Sequence, residues 1–191
     1  MSKAVMLSIR PKWCEKIAIG EKTVEMRKTR PRLKTPFKCY IYETQGPTDT
    51  PWVDEDGHMT FRGRGQVVGE FICDRIDSLV QIGFMGSGEA PRYRIVTDNC
   101  EIAEADGLFE ATCLSEQEVE AYLAGRSGYG WHISNLMIYQ DPRQVTDFRK
   151  PCVNDLYCES CAMHNENSER CGNAGLWMRR APQSWFYVED L

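Results

Sequence analysis

The 191-residue sequence lacks any run approaching the roughly 20 uncharged apolar residues that a membrane span requires, and its opening, MSKAVMLSIRPKW, lacks the apolar centre of a secretion signal. A cytoplasmic chain with no membrane partner is the expectation. There is no phosphate-cradling glycine loop, no H-E-x-x-H and no G-x-S-x-G, which sets aside P-loop nucleotidases, zinc peptidases of that class and α/β-hydrolases. Internal repeats and low-complexity tracts are also missing, so a solenoid is excluded. From Ile95 to Gly125 eight acidic residues occur without one Lys or Arg, and that stretch is expected to face away from any polyanion.

What is present is enough apolar material for a core: 42% hydrophobic and 10% aromatic residues are too many for a disordered chain. The length suits one domain with an appendage, since domains average roughly 150 residues. Lys and Arg number 23 against 28 Asp and Glu, a net charge of −5. The distribution is uneven, because residues 1–38 hold 11 basic and 3 acidic residues, a net of +8, which leaves −13 on the remaining 153. A basic face of this kind suits an anionic ligand, while an ordinary solvated face explains the same count.

Short apolar runs and glycine punctuation organise the chain. The segment MLSI reads as a buried strand, and Arg10-Pro11 opens a helix with Trp13, Cys14, Ile17 and Ala18 on one face and Gly20 at its left-handed cap. TVEMR alternates as a strand, with Val24 and Met26 on one side and Thr23, Glu25 and Arg27 on the other. KTRPRLKTP is an exposed loop, FKCYIYET a strand, and Asp56-Gly57 the turn of a hairpin whose tip carries His58. GQVVGEFICDRI is a strand bent at Gly65 and Gly69, and residues 83–91 form a loop. Ser115 and Glu118 make a capping box ahead of a helix that stops at Gly125. GYGWHISNLMIY is a glycine-hinged strand ended by Asp141-Pro142, and PQSWFYVEDL closes the chain as a strand. Several strands with two helices describe an α+β chain, a small mixed barrel or curled sheet with flanking helices.

The feature with most chemistry is G-E-K-T-V-E-M-R, Gly20 to Arg27. Lys22 falls in the turn, and Glu25 and Arg27 share a strand face about 6–7 Å apart. An ammonium, a carboxylate and a guanidinium together suit a ligand with an anionic part and a hydrogen-bonding edge, although a structural salt-bridge row uses the same residues. Trp13 and Trp131 are candidate stacking planes, Arg10 a further cation, and Arg179 and Arg180 an extension of the basic surface. His132 and Ser134 share one strand face; if it lines the cleft they would hold a base and a phosphate, and otherwise His132 is a core residue.

The opening LSIRPKWCEKIAIGEKTVEMRKTRP resembles the ASCH domain, whose signature is G-x-K-x-x-E after the first helix, often followed by x-R; Gly20, Lys22, Glu25 and Arg27 fill those positions. The resemblance runs through KCYIYET, GQVVGEFICDRI, GYGWHISNLMIY and SWFYVED, and so covers residues 4–150 and 182–190. It implies a PUA-like β-barrel with a cleft beside the motif, in a family linked to RNA binding, transcriptional coactivation and, in some small bacterial forms, hydrolysis of acetylated cytidine. That hydrolysis uses a Thr three residues after the motif Lys, where this chain has Glu25. Catalysis would need Lys22 with a lowered pKa or Glu25 with a raised one, and adjacent opposite charges favour ionisation of both. Binding is therefore favoured over catalysis.

Nine cysteines, an odd number, argue against a paired disulfide framework. Four of them, Cys152, Cys158, Cys161 and Cys171, form C-x5-C-x2-C-x9-C in a polar segment that would bury little. The C-x2-C pair offers two thiolates from one turn, the flanking two complete a tetrahedral zinc site, and His164 is an alternative donor. A redox pair and an iron-sulfur cluster are competing readings.

The expectation is a PUA-like barrel at residues 1–150 plus 182–191, with a zinc knuckle inserted at 151–181. It would bind RNA, single-stranded nucleic acid or a nucleotide-like ligand around Lys22, Glu25 and Arg27. A hydrolase acting on a modified nucleoside or on RNA, and a protein-interaction module using the basic loop, are the alternatives.

Overall fold

A computed structural model describes residues 2–46, 52–53, 59–60, 63–83, 92–96, 101–152, 160–163 and 172–191 of the chain. The elements in order are β1 (Lys3–Ile9), α1 (Pro11–Ala18), β2 (Val24–Arg27), β3 (Phe37–Glu43), β4 (Trp52–Val53), β5 (Met59–Thr60), β6 (Gln66–Ile82), β7 (Arg92–Val96), β8 (Ile102–Glu104), α2 (Asp106–Thr112), α3 (Glu116–Leu123), β9 (Gly128–Arg143) and β10 (Trp185–Glu189). Strand pairing follows β10-β1-β3-β6-β7-β8, with β9 pairing β2 and β6, while β4 and β5 pair separately. The fold is mixed α+β, and the described strand pairs close no ring.

Two compact units divide the chain, one made of Met1–Pro11, Lys38–Glu70 and Met137–Leu191, the other of Lys12–Phe37 and Phe71–Leu136. In the first, β1 lies between β10, antiparallel with Leu7 opposite Trp185, and β3, parallel with Val5 opposite Cys39. A strand flanked on both edges explains why the apolar run Ala4–Leu7 is buried without alternation. Ala4, Met6, Tyr40, Val67, Phe148, Met178 and Val188 form the core of this unit. Met178 brings part of the 151–181 segment into that core.

In the second unit, Val24 and Met26 of β2 pack with Leu108 and Phe109 of α2, Val119 and Leu123 of α3, and Leu79 and Tyr93 of β6 and β7. The helix α3 has the capping box read from the sequence, with the Ser115 hydroxyl accepting from the Glu118 N–H and the Glu118 carboxylate accepting from the Ser115 N–H. The Ser115 N–H and the Ser115 hydroxyl, both donating to Glu118 Oε2, hold the Glu118 carboxyl below its ordinary pKa. The expected left-handed glycine after α1 is present at Gly20, with φ 79°.

Several expectations are corrected. There are three α-helices among the described residues, because α2 follows β8 with only Ala105 between them, an N-cap that makes no side-chain bond. Asp141-Pro142 does not end β9, which continues to Arg143. Gly128 and Gly130 are close-approach positions rather than hinges: a Cβ would lie 2.7 Å from Leu123 Cδ1 in one case and 2.8 Å from Leu108 Cδ1 in the other. The turn at Asp56-Gly57, His58, His164, Cys158 and Cys171 lie outside the described residues, as does most of 83–91. No helix among the described residues is long and apolar enough to cross a membrane.

Candidate nucleic-acid interface

The turn after α1 is fixed by backbone bonds, with the Gly20 N–H donating to Ile17 O and the Lys22 N–H to Lys16 O. Lys22 therefore leaves the helix end pointing toward β2, and the three motif side chains do converge. The Lys22 ammonium lies 3.4 Å from Glu25 Oε2, and Arg27 Nη2 lies 2.9 Å from Glu25 Oε1. They are not open to solvent: Lys22 is 2%, Glu25 7% and Arg27 6% exposed. Lys22 also donates to Thr112 O at 2.7 Å, the last residue of α2, and stands 5.1 Å from the Trp13 ring centre. Both sides of β2 are thus covered, and the cluster is a buried ion-pair row instead of the solvent-lined hollow expected.

Burial has a chemical effect the sequence argument did not anticipate. Desolvation pushes the Lys22 ammonium below the ordinary lysine pKa even though Glu25 pulls it upward. Thr23 is exposed, with its N–H donating to Ala111 O and its carbonyl accepting from the Ile133 N–H.

The remaining candidates separate. Trp131 is 0% exposed and meets Phe37 edge-on with ring centres 5.7 Å apart, so it packs in the core and offers no stacking face. It lies opposite Glu25 in the β2–β9 register, which explains its burial. Trp13 is half-buried, with Lys12 5.0 Å from its ring centre. Ser134 donates to Ile72 O at 3.0 Å. Arg10 is exposed and belongs to the first unit. Arg179 and Arg180 are exposed in the first unit as well.

His132 is a half-buried partner of two residues that sequence reasoning missed. Its Nε2 lies 2.7 Å from Asp77 Oδ2, and Arg75 Nη2 lies 2.9 Å from the same nitrogen. Arg75 also holds Asp77 side-on, Nε to Oδ1 at 3.1 Å and Nη2 to Oδ2 at 3.3 Å. Burial would raise the Asp77 pKa, but the His132 bond and the charges of His132 and Arg75 outweigh it and set the carboxyl below its ordinary value. The sequence signal was the pair of acids in D-R-I-D, charges alternating inside an otherwise apolar strand.

Arg75 also lines a pocket of about 320 Å³ together with the loop from Arg30 to Thr35 and Ile76. The lining has four cations, Arg30, Arg32, Lys34 and Arg75, and no carboxylate. Its volume lies at the small end of the range for ligand sites, roughly 300–1,000 Å³. Arg30 stands over the Tyr129 ring at 5.7 Å and Lys28 over Tyr122 at 4.7 Å, so the aromatic rings support the cations of this loop. The loop begins directly after Arg27, and the ion pair with Glu25 therefore anchors its root.

Of the four clustered cysteines, Cys152 and Cys161 are described, both partly exposed. No group of three potential metal ligands occurs among the described residues.

No protein-family model matches the chain, and no curated relative is found. Among solved structures it is similar to ASCH from Zymomonas mobilis, with a TM-score of 0.46 and 17% identity over 74% of this chain and 73% of that one. Two variants of that protein are also similar. The tyrosine-to-phenylalanine variant has a TM-score of 0.50 and 14% identity over 99% of this chain and 92% of that one; the serine-to-alanine variant has 0.49 and 14% over 98% and 89%. The ASCH resemblance of the motif segment is thus met by a likeness of fold across nearly the whole chain, and the fold is that of the ASCH protein from Zymomonas mobilis.

Proposed function

We propose that this protein is a PUA-like nucleic-acid-binding module that takes RNA, or a nucleotide-like ligand, at the pocket between the Arg30–Thr35 loop and Arg75. The observation that carries the reading is the lining of four cations without a carboxylate. Such a lining attracts phosphate, and Arg in particular matches phosphate oxygens with paired donors. A pocket of this size admits one nucleotide out of its stack and no base pair, so single strands are favoured over duplex. In this reading Lys22, Glu25 and Arg27 form the base of the site: they fix the turn and strand from which the basic loop springs. The test is fluorescence anisotropy with a single-stranded oligoribonucleotide and the matching duplex. Wild type binds the single strand more tightly, and the double variant Arg32→Gln/Lys34→Gln loses most of that binding; equal binding by the variant overturns the proposal.

One observation favours a second reading, hydrolysis of a modified nucleoside. A buried lysine with a lowered pKa is the form a general base requires. Release of acetate from acetylcytidine, abolished by Lys22→Gln in a variant that still folds, would select it.

The four-cysteine segment is proposed to hold a structural zinc ion through Cys152, Cys158, Cys161 and Cys171. The support is the donor set and the C-x2-C spacing, together with the polar composition around them. When bound, zinc would supply folding free energy that the segment's side chains do not. Elemental analysis is expected to give one zinc per chain, and native alkylation of all four thiols without metal would remove the idea.

A further inference from the structure

We infer that the pocket is built for the phosphorylated end of a nucleic-acid strand, a terminal phosphomonoester, rather than for an internal phosphodiester, and that Arg75, positioned by Asp77 and His132, is the residue that makes the distinction. The inference rests on the nucleotide-binding reading above and narrows it.

The charge balance is the first argument. An internal phosphodiester carries one negative charge, and a terminal monoester carries about 1.5 to 2 near pH 7. Four cations line about 320 Å³, and with Arg75 already paired to Asp77 the positive charge of the lining still exceeds what a single internal phosphate calls for. A strand that passes through a site also needs a way in and a way out, whereas a terminus needs one. A small volume suits the second case.

The second argument is how Arg75 is held. Its Nε and Nη2 are committed to Asp77, at 3.1 and 3.3 Å, and Nη2 also lies beside the His132 ring. The other terminal nitrogen, Nη1, makes none of these contacts. A guanidinium gripped along one edge by a carboxylate presents its remaining donors in a fixed direction, the arrangement that suits a monoester with three acceptor oxygens. Asp77 is in turn fixed by His132, whose Nε2 is 2.7 Å away. Asp77 and His132 are therefore positioning residues, and Arg75 is the one placed to touch the ligand. The exposed Arg75 would gain little from this grip as a matter of stability, since a surface ion pair is screened by solvent.

The experiment is competition against one fluorescent, hydroxyl-ended oligouridylate tracer bound to the full chain. Three unlabelled strands of the same sequence serve as competitors, one with a 5′-phosphate, one with a 3′-phosphate and one with hydroxyls at both ends. One of the two phosphorylated strands is expected to compete roughly tenfold better than the hydroxyl-ended strand, in keeping with one extra charge-assisted contact. Which end does so identifies the polarity. In Arg75→Gln all three strands bind more weakly and the advantage of the phosphorylated strand disappears; in Asp77→Asn, which leaves Arg75 present but ungripped, the advantage shrinks. Equal competition by all three strands in wild type overturns the inference and leaves nucleic-acid binding standing, as does an advantage that survives Arg75→Gln. If the tracer does not bind at all, the binding proposal falls and this inference with it.

Discussion

The ammonium of Lys22 donates to the carbonyl oxygen of Thr112 at 2.7 Å, joining residues 90 positions apart. Thr112 ends α2, so its carbonyl is one of the acceptors left without a partner inside the helix, and it sits at the negative end of the helix dipole. The side chain that the sequence marks as the motif lysine thus closes a helix that the sequence did not reveal. It also completes the ion-pair row with Glu25 and Arg27, and this explains how the motif can be demanding in residue type without facing solvent.

Replacing this lysine with methionine keeps the volume and removes both bonds. Glu25 retains Arg27, so the loss is that of a buried donor more than of an isolated charge, and we expect Lys22→Met to lower stability by about 2–3 kcal/mol in urea unfolding. The alkaline limb carries a sign. Folded Lys22, with its lowered pKa, releases its proton at a lower pH than the unfolded lysine, which holds it to about pH 10.4. Between those values the unfolded chain binds more protons, and wild-type stability rises with pH relative to Lys22→Met. A flat difference curve would contradict the burial account.

Asp77 acts at the other end of the scale. Its folded pKa is depressed, so its contribution is complete above the unfolded value of about 3.9 and is lost as pH falls through the folded one. Asp190 and Glu118 are depressed in the same direction, and only a comparison isolates the single group. Acid titration of stability in wild type and Asp77→Asn is expected to converge below the folded value and to separate by about 1 kcal/mol at neutral pH. Parallel curves would show that the His132 contact contributes nothing.

Glycine positions give opposite outcomes. A Cβ at Gly130 would meet Leu108 Cδ1 at 2.8 Å and Val24 Cγ1 at 3.1 Å, which forces the α2 packing to shift. Overpacking of this kind costs about 1–3 kcal/mol, more than the roughly 0.4–1 kcal/mol gained by restricting the unfolded chain. Gly107 lies inside α2 with nothing within 4 Å of its Cβ position. Gly130→Ala is therefore expected to lower the midpoint of thermal unfolding and Gly107→Ala to raise it, a contrast checked by calorimetry on both variants.

Local signals were legible in the sequence where one residue's conformation or one short-range bond decides the outcome. Gly20 was readable because a left-handed cap needs glycine, and the Ser115–Glu118 box because two side chains answer each other within one turn. The approach of Lys22, Glu25 and Arg27 followed from strand alternation. Their burial did not, because it depends on Trp131 lying opposite Glu25 and on Thr112 arriving from a distant helix. The helix α2 was hidden by its length of 7 residues and a cap without a side-chain bond. Arg75 and Asp77 were hidden because their partner His132 lies on a different strand, and register between distant strands is not written in either one. Asp141-Pro142 was read as a breaker, yet β9 runs through it to Arg143.

The most direct test of the central claim is the salt dependence of single-stranded RNA binding, measured for wild type and for the single variants Arg30→Gln, Arg32→Gln, Lys34→Gln and Arg75→Gln. Each phosphate neutralised on a single strand contributes a slope of about −0.7 in log Kobs against log salt. If the pocket cations hold phosphate, wild type shows a slope of about −0.7 or steeper and the variants are shallower, whereas Lys22→Met, where folded, retains the wild-type slope. Binding that is insensitive to salt, or slopes that none of the four substitutions changes, would contradict the account.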